Sequence, residues 1–226
     1  PDANQRQVGD FEDHGQRYAR ATEFMDVVRG YWHKEQFHYE GTYYRAEGGG
    51  LRGPLKKAEL PLICTAGSSV AAREFAAKHA DFYLMRAEHP DEIAALIADI
   101  RARALKWGRT DIRFGLSIDV IARETEQAAL AEAKRFFDEG VAKGTVKARA
   151  AHAGLRTARK LSYEHDYSDQ DGRQAFGDFF IHPNVWTGFG YIGVPPGCAL
   201  VGSYANVVAR IREYHGIGVD LFFLAG

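Results

Sequence analysis

The segment CTAGSSVAAREFAA holds the first residues able to do chemistry. An apolar run, residues 62–66, stops at Gly67. Ser68 and Ser69 then lead directly into a helical pattern. Backbone N–H groups at a helix start carry partial positive charge and attract phosphate. Gly67 allows close approach, and the two hydroxyls add donors. The competing reading is a serine cap after a tight turn. A second group, His14, Arg17 and Tyr18 in DHGQRYARATEF, sits near another helix start. It either binds an anion or is a loop histidine beside a surface arginine. Ser117 and Asp119 form a third group, two polar residues inside the apolar run IRFGLSIDVIA. Residues two apart share one side of a strand. An aspartate held there is either hydrogen-bonded or raised in pKa, and it then acts as a base or holds a partner. The fourth group lies in 160–182, KLSYEHDYSDQDGRQAFGDFFIH, which has no helical period. A loop longer than ~15 residues in a compact domain is functional or disordered. Its flanking and internal cations, Arg156, Arg159, Lys160 and Arg173, are candidates to close over an anion, and Arg173 is the one retained.

The elements that must position these groups follow from periodicity. Tyr18, Ala21, Met25, Val28 and Trp32 mark one face of a helix over 18–32, after a loop-like 1–17. Residues 36–45 alternate aromatic and polar around Gly41, as a hairpin or an extended excursion does. Residues 46–60 read as loop. Strand and helix then alternate: strand 62–66, helix 70–78, strand 81–85, helix 90–107, strand 112–122, helix 126–138. Pro90 suits a first helical turn, and Gly108 an exit. Thr125 is a candidate cap for the helix that follows it. Periodicity fades after Gly140 until about Leu200. A helix over 204–215 and a strand over 219–224 close the chain. Such alternation predicts a parallel sheet covered by helices. An open doubly wound sheet and part of a (β/α)8 barrel both fit, and the four regular strands are half of what a barrel of ~250 residues needs.

Composition excludes several classes. The 226 residues carry 29 Lys+Arg against 30 Asp+Glu, a net charge of −1, with 46% hydrophobic residues. That balance excludes a disordered chain and gives no basic excess for nucleic acid. No run of ~18 apolar residues predicts a membrane span. Cys64 and Cys198 stand apart, outside any CxxC pair, and read as reduced thiols of a cytoplasmic protein. The polar start lacks the pattern of a signal peptide. With no initiator Met and an apolar last run, both ends read as cuts through a longer protein.

Several segments together resemble the flavin-dependent, bacterial-luciferase-like monooxygenases, and within them the FMNH2-dependent alkanesulfonate monooxygenases. They are DHGQRYARATEFMDVVRGYW, LPLICTAGSSVAAREFAAKHADFYL, RARALKWGRTDIRFGLSIDVIARET, HPNVWTGFG and GCALVGSYANVVARIREYHGIGVDLFFLAG, in the family's order. The resemblance implies an α/β fold, a TIM (β/α)8 barrel. This chain would cover roughly its second half, strands five to eight, as a single domain (1–226) incomplete at both ends. A long insertion, about 140–200, would precede the last helix. A half barrel leaves unpaired strand edges, so it would depend on further chain or a partner. By the same resemblance Tyr18, Gly67, Ser68 and Ser69, with His14, would hold the FMN phosphate. Where the sulfonate enzymes carry an Arg and a His two apart, this chain has Ser117 and Asp119. Arg173 lies near the place of the family's loop arginine. The implied activity is a two-component monooxygenase acting on an organosulfur compound. A separate NAD(P)H-dependent reductase supplies FMNH2, and O2-dependent C–S cleavage of an alkanesulfonate yields an aldehyde and sulfite. No metal, nucleic acid or membrane is implied, and the oligomer would be a homo-dimer or homo-tetramer. Alternative substrates are a sulfone, an aminopolycarboxylate, an aldehyde or an alkane. A deazaflavin-dependent oxidoreductase and a non-catalytic flavin-binding fragment are further alternatives.

Overall fold

A computed structural model describes residues 3–56, 59–143 and 175–226. The chain forms two compact units. The first is Pro1–Tyr83 with Ile100–Ile112, and the second is Leu84–Asp99 with Arg113–Gly226. No helix among the described residues is long and apolar enough to cross a membrane.

The first unit starts with a short helix α1 (Ala3–Gln7) and a long one, α2 (His14–His33). α2 begins four residues before the expected Tyr18 because Asp13 and Gln16 form a reciprocal cap. Asp13 Oδ1 accepts from the Gln16 amide at 2.8 Å, and Gln16 Oε1 accepts from the Asp13 amide at 2.9 Å. Two orphan donors of the first turn are thereby satisfied locally, a signal independent of apolar spacing. The expected loop-like 1–17 therefore carries α1 and the first turn of α2. An antiparallel hairpin follows, β1 (Phe37–Glu40) and β2 (Arg45–Gly49), longer than the sequence suggested. Glu23 of α2 clamps its turn, accepting from the amides of Thr42 at 2.9 Å and Tyr43 at 2.8 Å. The Tyr43 amide bond, first among several causes, holds that carboxyl below its ordinary pKa.

β3 (Cys64–Ala66) leads through Gly67–Ser69 into α3 (Val70–His79), and the chain returns in β4 (Phe82–Arg86). The Ile63 carbonyl accepts from Asp81 and Phe82, tying the start of β3 to that return. Ala72, Ala76 and Ala77 give α3 a small-residue face that is fully or nearly fully buried. α4 (Pro90–Leu105) and β4 each contribute residues to both units.

In the second unit the axis is β5 (Arg113–Arg123). Phe114, Leu116 and Ile118 alternate on one face and are fully buried. β9 (Leu221–Ala225) and β8 (Ala199–Ser203) both run parallel to β5. β6 (Phe180–His182) and β7 (Val185–Trp186) continue antiparallel from β8. The sequence reading did not find β8. It is five residues long, opens beside the breaker-rich GVPPGC, and depends on pairing with β5 rather than on its own period. α5 (Glu126–Ala142) is capped by Thr125 as expected, through its hydroxyl to the Ala128 amide. α5 presents Ala129, Ala133 and Phe137 to a core with Ile121, Trp186, Phe189 and Ile192. The short helix α6 (Gly188–Tyr191) supplies two of its aromatics. Glu126 locks three segments, accepting from Asn184 Nδ2 at 2.6 Å, the Ser203 amide at 2.9 Å and Asn206 Nδ2 at 2.7 Å. α7 (Tyr204–Gly216) is capped by Ser203.

One buried group in the first unit sets an acid limit. His79 is 1% exposed, and neither ring nitrogen has a hydrogen-bond partner among the described residues. Asp26 Oδ1 lies 4.0 Å from Nε2, beyond hydrogen-bond reach. Burial, reinforced by Lys78, pushes the imidazole down to about 4. The unfolded chain therefore binds this proton between pH ~6.5 and about 4 while the folded chain does not. Stability is full above that window and declines by up to about 3 kcal/mol across it as pH falls. Urea unfolding of the parent and His79→Leu from pH 7 to 4 measures this. The parent should lose more stability than the variant over that range.

Candidate functional site

In the first unit a turn, a helix start and two aromatics converge. Gly67 has φ +131, a conformation L side chains rarely adopt. An added Cβ there would lie 2.9 Å from the Ala72 Cβ and 3.3 Å from the Tyr18 hydroxyl. The glycine thus lets the turn pack closely against the start of α3 and the Tyr18 hydroxyl. Tyr83 holds the turn from behind, its hydroxyl donating to the Gly67 carbonyl. Ser69 caps α3, its Oγ accepting from the Ala72 amide at 3.1 Å, and the Arg73 amide is taken by the Ser69 carbonyl. Both bonds point into the helix, so the earlier amides at its start remain for an outside acceptor. His14 Nε2 is 2.8 Å from Ser69 Oγ, and its ring meets Tyr18 edge-on with centroids 5.0 Å apart. The Ser68 side chain is exposed. His14, Tyr18, Gly67 and Ser69, far apart in sequence, are therefore brought together, with Ser68 on the open side.

This arrangement suits an anion bearing several oxygens. Amides, hydroxyls and an imidazole gather at one turn, the helix start adds partial positive charge, and the glycine lets the backbone approach closely. The donor set fits a phosphate monoester, the part of FMN that most needs such a cradle. Tyr83 is the member the sequence reading missed. Its signal was a single phenol inside the apolar run DFYLM, which there looked like core.

In the second unit Ser117 and Asp119 lie on β5. Asp119 is 7% exposed, and its Oδ2 has no hydrogen-bond partner among the described residues. Burial alone raises its carboxyl to about 6, the outcome expected of an aspartate there without a partner. Ser117 is half-buried, and its carbonyl accepts from the Ala87 amide at 3.2 Å. Cys198 adjoins Asp119, its carbonyl accepting the Asp119 amide at 3.1 Å. Burial pushes the Cys198 thiol well up, so it is no ready nucleophile. Both cysteines are unpaired, Cys64 exposed and Cys198 buried. Arg156, Arg159, Lys160 and Arg173 lie outside the described residues.

The family described as luciferase-like monooxygenase matches residues 1–221. The chain belongs to that family. Luciferase-like monooxygenase topology also accounts for the parallel strands, and solved structures align over nearly the whole chain. A long-chain alkane monooxygenase, LadA, matches with a TM-score of 0.71 and 23% identity, over 98% of this chain and 55% of its own. Riboflavin lyase RcaE, solved with modified FMN and riboflavin, matches with a TM-score of 0.70 and 19% identity, over 98% and 56%. EDTA monooxygenase EmoA from Chelativorans sp. BNC1 matches with a TM-score of 0.61 and 20% identity, over 97% and 58%. The chain thus spans little more than half the length of these luciferase-like structures. The expected partial (β/α)8 architecture is the one these alignments give.

The turn itself can be tested without a ligand. Gly67→Ala forces a Cβ into a strained backbone and against Ala72, and should cost about 1–2 kcal/mol. Ser69→Ala removes the α3 cap and should cost about 1 kcal/mol. Ser68→Ala, with an exposed hydroxyl, should change stability by less than about 0.5 kcal/mol. Urea denaturation of the three variants checks the order.

Proposed function

We propose that this chain is the FMN-phosphate-binding portion of a two-component, FMNH2-dependent monooxygenase acting on a small organic substrate. The observation that carries the reading is the convergence of Gly67, Ser69, Tyr18 and His14 at one helix start in a luciferase-like chain. Ser68 and the first amides of α3 would grip the phosphate. Tyr18 would donate its hydroxyl, and His14 would bind through or beside Ser69. Reduced FMN, when bound, supplies two electrons and the site of O2 activation, so that one oxygen enters the substrate and the other leaves as water. The chain's own residues bind and orient the cofactor by its phosphate, and Tyr83 holds the turn in place. A separate NAD(P)H-dependent reductase would deliver FMNH2, and the enzyme would assemble as a homo-oligomer.

Two substrate readings follow. The first is oxygenation of an alkanesulfonate, with C–S cleavage to an aldehyde and sulfite. A sulfonate needs cations or strong donors, and the aligned pair here is Ser117 and a buried Asp119 whose Oδ2 has no hydrogen-bond partner among the described residues. That observation favours the second reading, a substrate less anionic than a sulfonate. A flavin-binding chain without catalysis is the outcome that activity assays would have to reveal.

Titration with FMN, FMNH2 and riboflavin tests the binding claim. FMN phosphate recognition predicts that Tyr18→Phe and Ser68→Ala weaken FMN binding about tenfold, near 1.4 kcal/mol, and leave riboflavin binding unchanged. Equal loss for both flavins would overturn it. O2-dependent sulfite release from alkanesulfonates, with FMNH2 supplied, then separates the two substrate readings.

A further inference from the structure

In the second unit a 3-10 turn, Phe176–Phe179, leads into β6, and Pro183 and Asn184 return the chain as β7. Asn184 takes φ +64, a left-handed value that asparagine tolerates in tight turns. Between this hairpin and the first turns of α5 lies a groove of about 650 Å³. Small-molecule sites span ~300–1,000 Å³. Phe176, Phe180 and Leu130 give the groove apolar walls, and Glu126, Asn184 and His182 are its polar side chains. Two of these are already engaged. Glu126 accepts from Asn184, Ser203 and Asn206, and the Asn184 amide group donates to Glu126 and to the Val201 carbonyl. His182 differs. Arg210 of α7 places Nη1 2.7 Å from its Nε2. A guanidinium only donates, so Nε2 is the acceptor and the ring hydrogen sits on Nδ1. Glu213 lies 3.1 Å from the same nitrogen but is paired with Arg210 at 2.6 Å, so it needs no hydrogen from the ring. His89 meets the ring edge-on, centroids 4.9 Å apart, and helps to fix its plane. The Nδ1 hydrogen has no acceptor among the described residues, and the side chain is 19% exposed.

We propose that this groove binds a neutral aromatic molecule bearing a carbonyl, whose oxygen accepts the Nδ1 hydrogen of His182. Phe176 and Phe180 cross edge-on with centroids 5.6 Å apart, a pair that offers ring surface to an aromatic guest. The tautomer selects the polar end. With Arg210 on its other nitrogen, the imidazole gives a hydrogen at Nδ1 and cannot take one, so the ligand must supply an acceptor. Charge selects among acceptors. The Glu126 carboxylate is part of the wall, Arg210 is paired with Glu213, and no lysine or arginine is among the lining residues. An anionic acceptor meets like charge there, and a carbonyl does not. The groove shares no residue with the proposed FMN-phosphate cradle, so this ligand lies beyond the function proposed above.

Proton–nitrogen NMR of the full chain tests this with three probes that share a benzene ring. Acetophenone carries the carbonyl, ethylbenzene lacks an acceptor, and benzoate is charged. The Trp186 indole N–H, which donates to the Phe176 carbonyl at 3.3 Å, serves as reporter. The parent should bind acetophenone about tenfold tighter than either of the others. The His182 ring should show its hydrogen on Nδ1. His182→Leu should bring acetophenone and ethylbenzene within about threefold of each other, and Leu130→Lys should weaken both at least about tenfold. Equal affinities in the parent overturn the proposal, and so does no binding at millimolar concentration. A hydrogen found on Nε2, a preference that survives His182→Leu, or binding unchanged in Leu130→Lys also overturns it. If His182→Leu does not fold, the parent series and Leu130→Lys decide the matter.

Discussion

The left-handed turn at Gly67 is the constraint from which the rest of the candidate site follows. Only a residue without a Cβ holds that backbone against Ala72 and Tyr18. The turn leads directly into α3, and the Ser69 hydroxyl fixes where the helix begins. Tyr83 holds the turn's carbonyl from β4, and His14 reaches Ser69 from the first turn of α2. Each contact is modest by itself. Together they hold the donors in place before a ligand arrives, and pre-organisation is what turns several weak donors into a binding site.

The two units treat burial of titratable groups in opposite ways. His79 is enclosed and kept neutral, so its burial is a structural cost that appears only in acid. Asp119 is enclosed too, but its ordinary pKa is low enough that the same physics leaves it ionised at neutral pH. Desolvation penalises the charged form in both cases. It removes charge from a base and strands it on an acid. That difference makes one residue a packing element and the other a group in want of a partner.

Glu126 and Glu23 show the contrasting case of carboxylates whose needs are met. Glu23 closes on hairpin amides, and Glu126 on an amide and two asparagines. Backbone and side-chain donors hold both below their ordinary pKa. Set beside them, the Oδ2 of Asp119 is buried without a hydrogen-bond partner among the described residues.

The sequence by itself determined the alternation of strand and helix over 62–138 and the closing helix and strand over 204–224, because apolar period and glycine or proline punctuation are local. It also marked His14, Tyr18, Gly67, Ser68 and Ser69, through their residue types near helix starts and the segments they share with a known family. It did not reveal α1, the true start of α2, β8 or Tyr83. The start of α2 depends on a reciprocal side-chain cap, and β8 on pairing with a distant strand. Tyr83 depends on a phenol meeting a carbonyl sixteen residues away. The tertiary structure alone decided that His14 meets Ser69 and that Asp119, between β8 and β9, keeps one carboxyl oxygen without a partner among the described residues. Proximity between residues remote in sequence is a property of packing, and no local pattern encodes it.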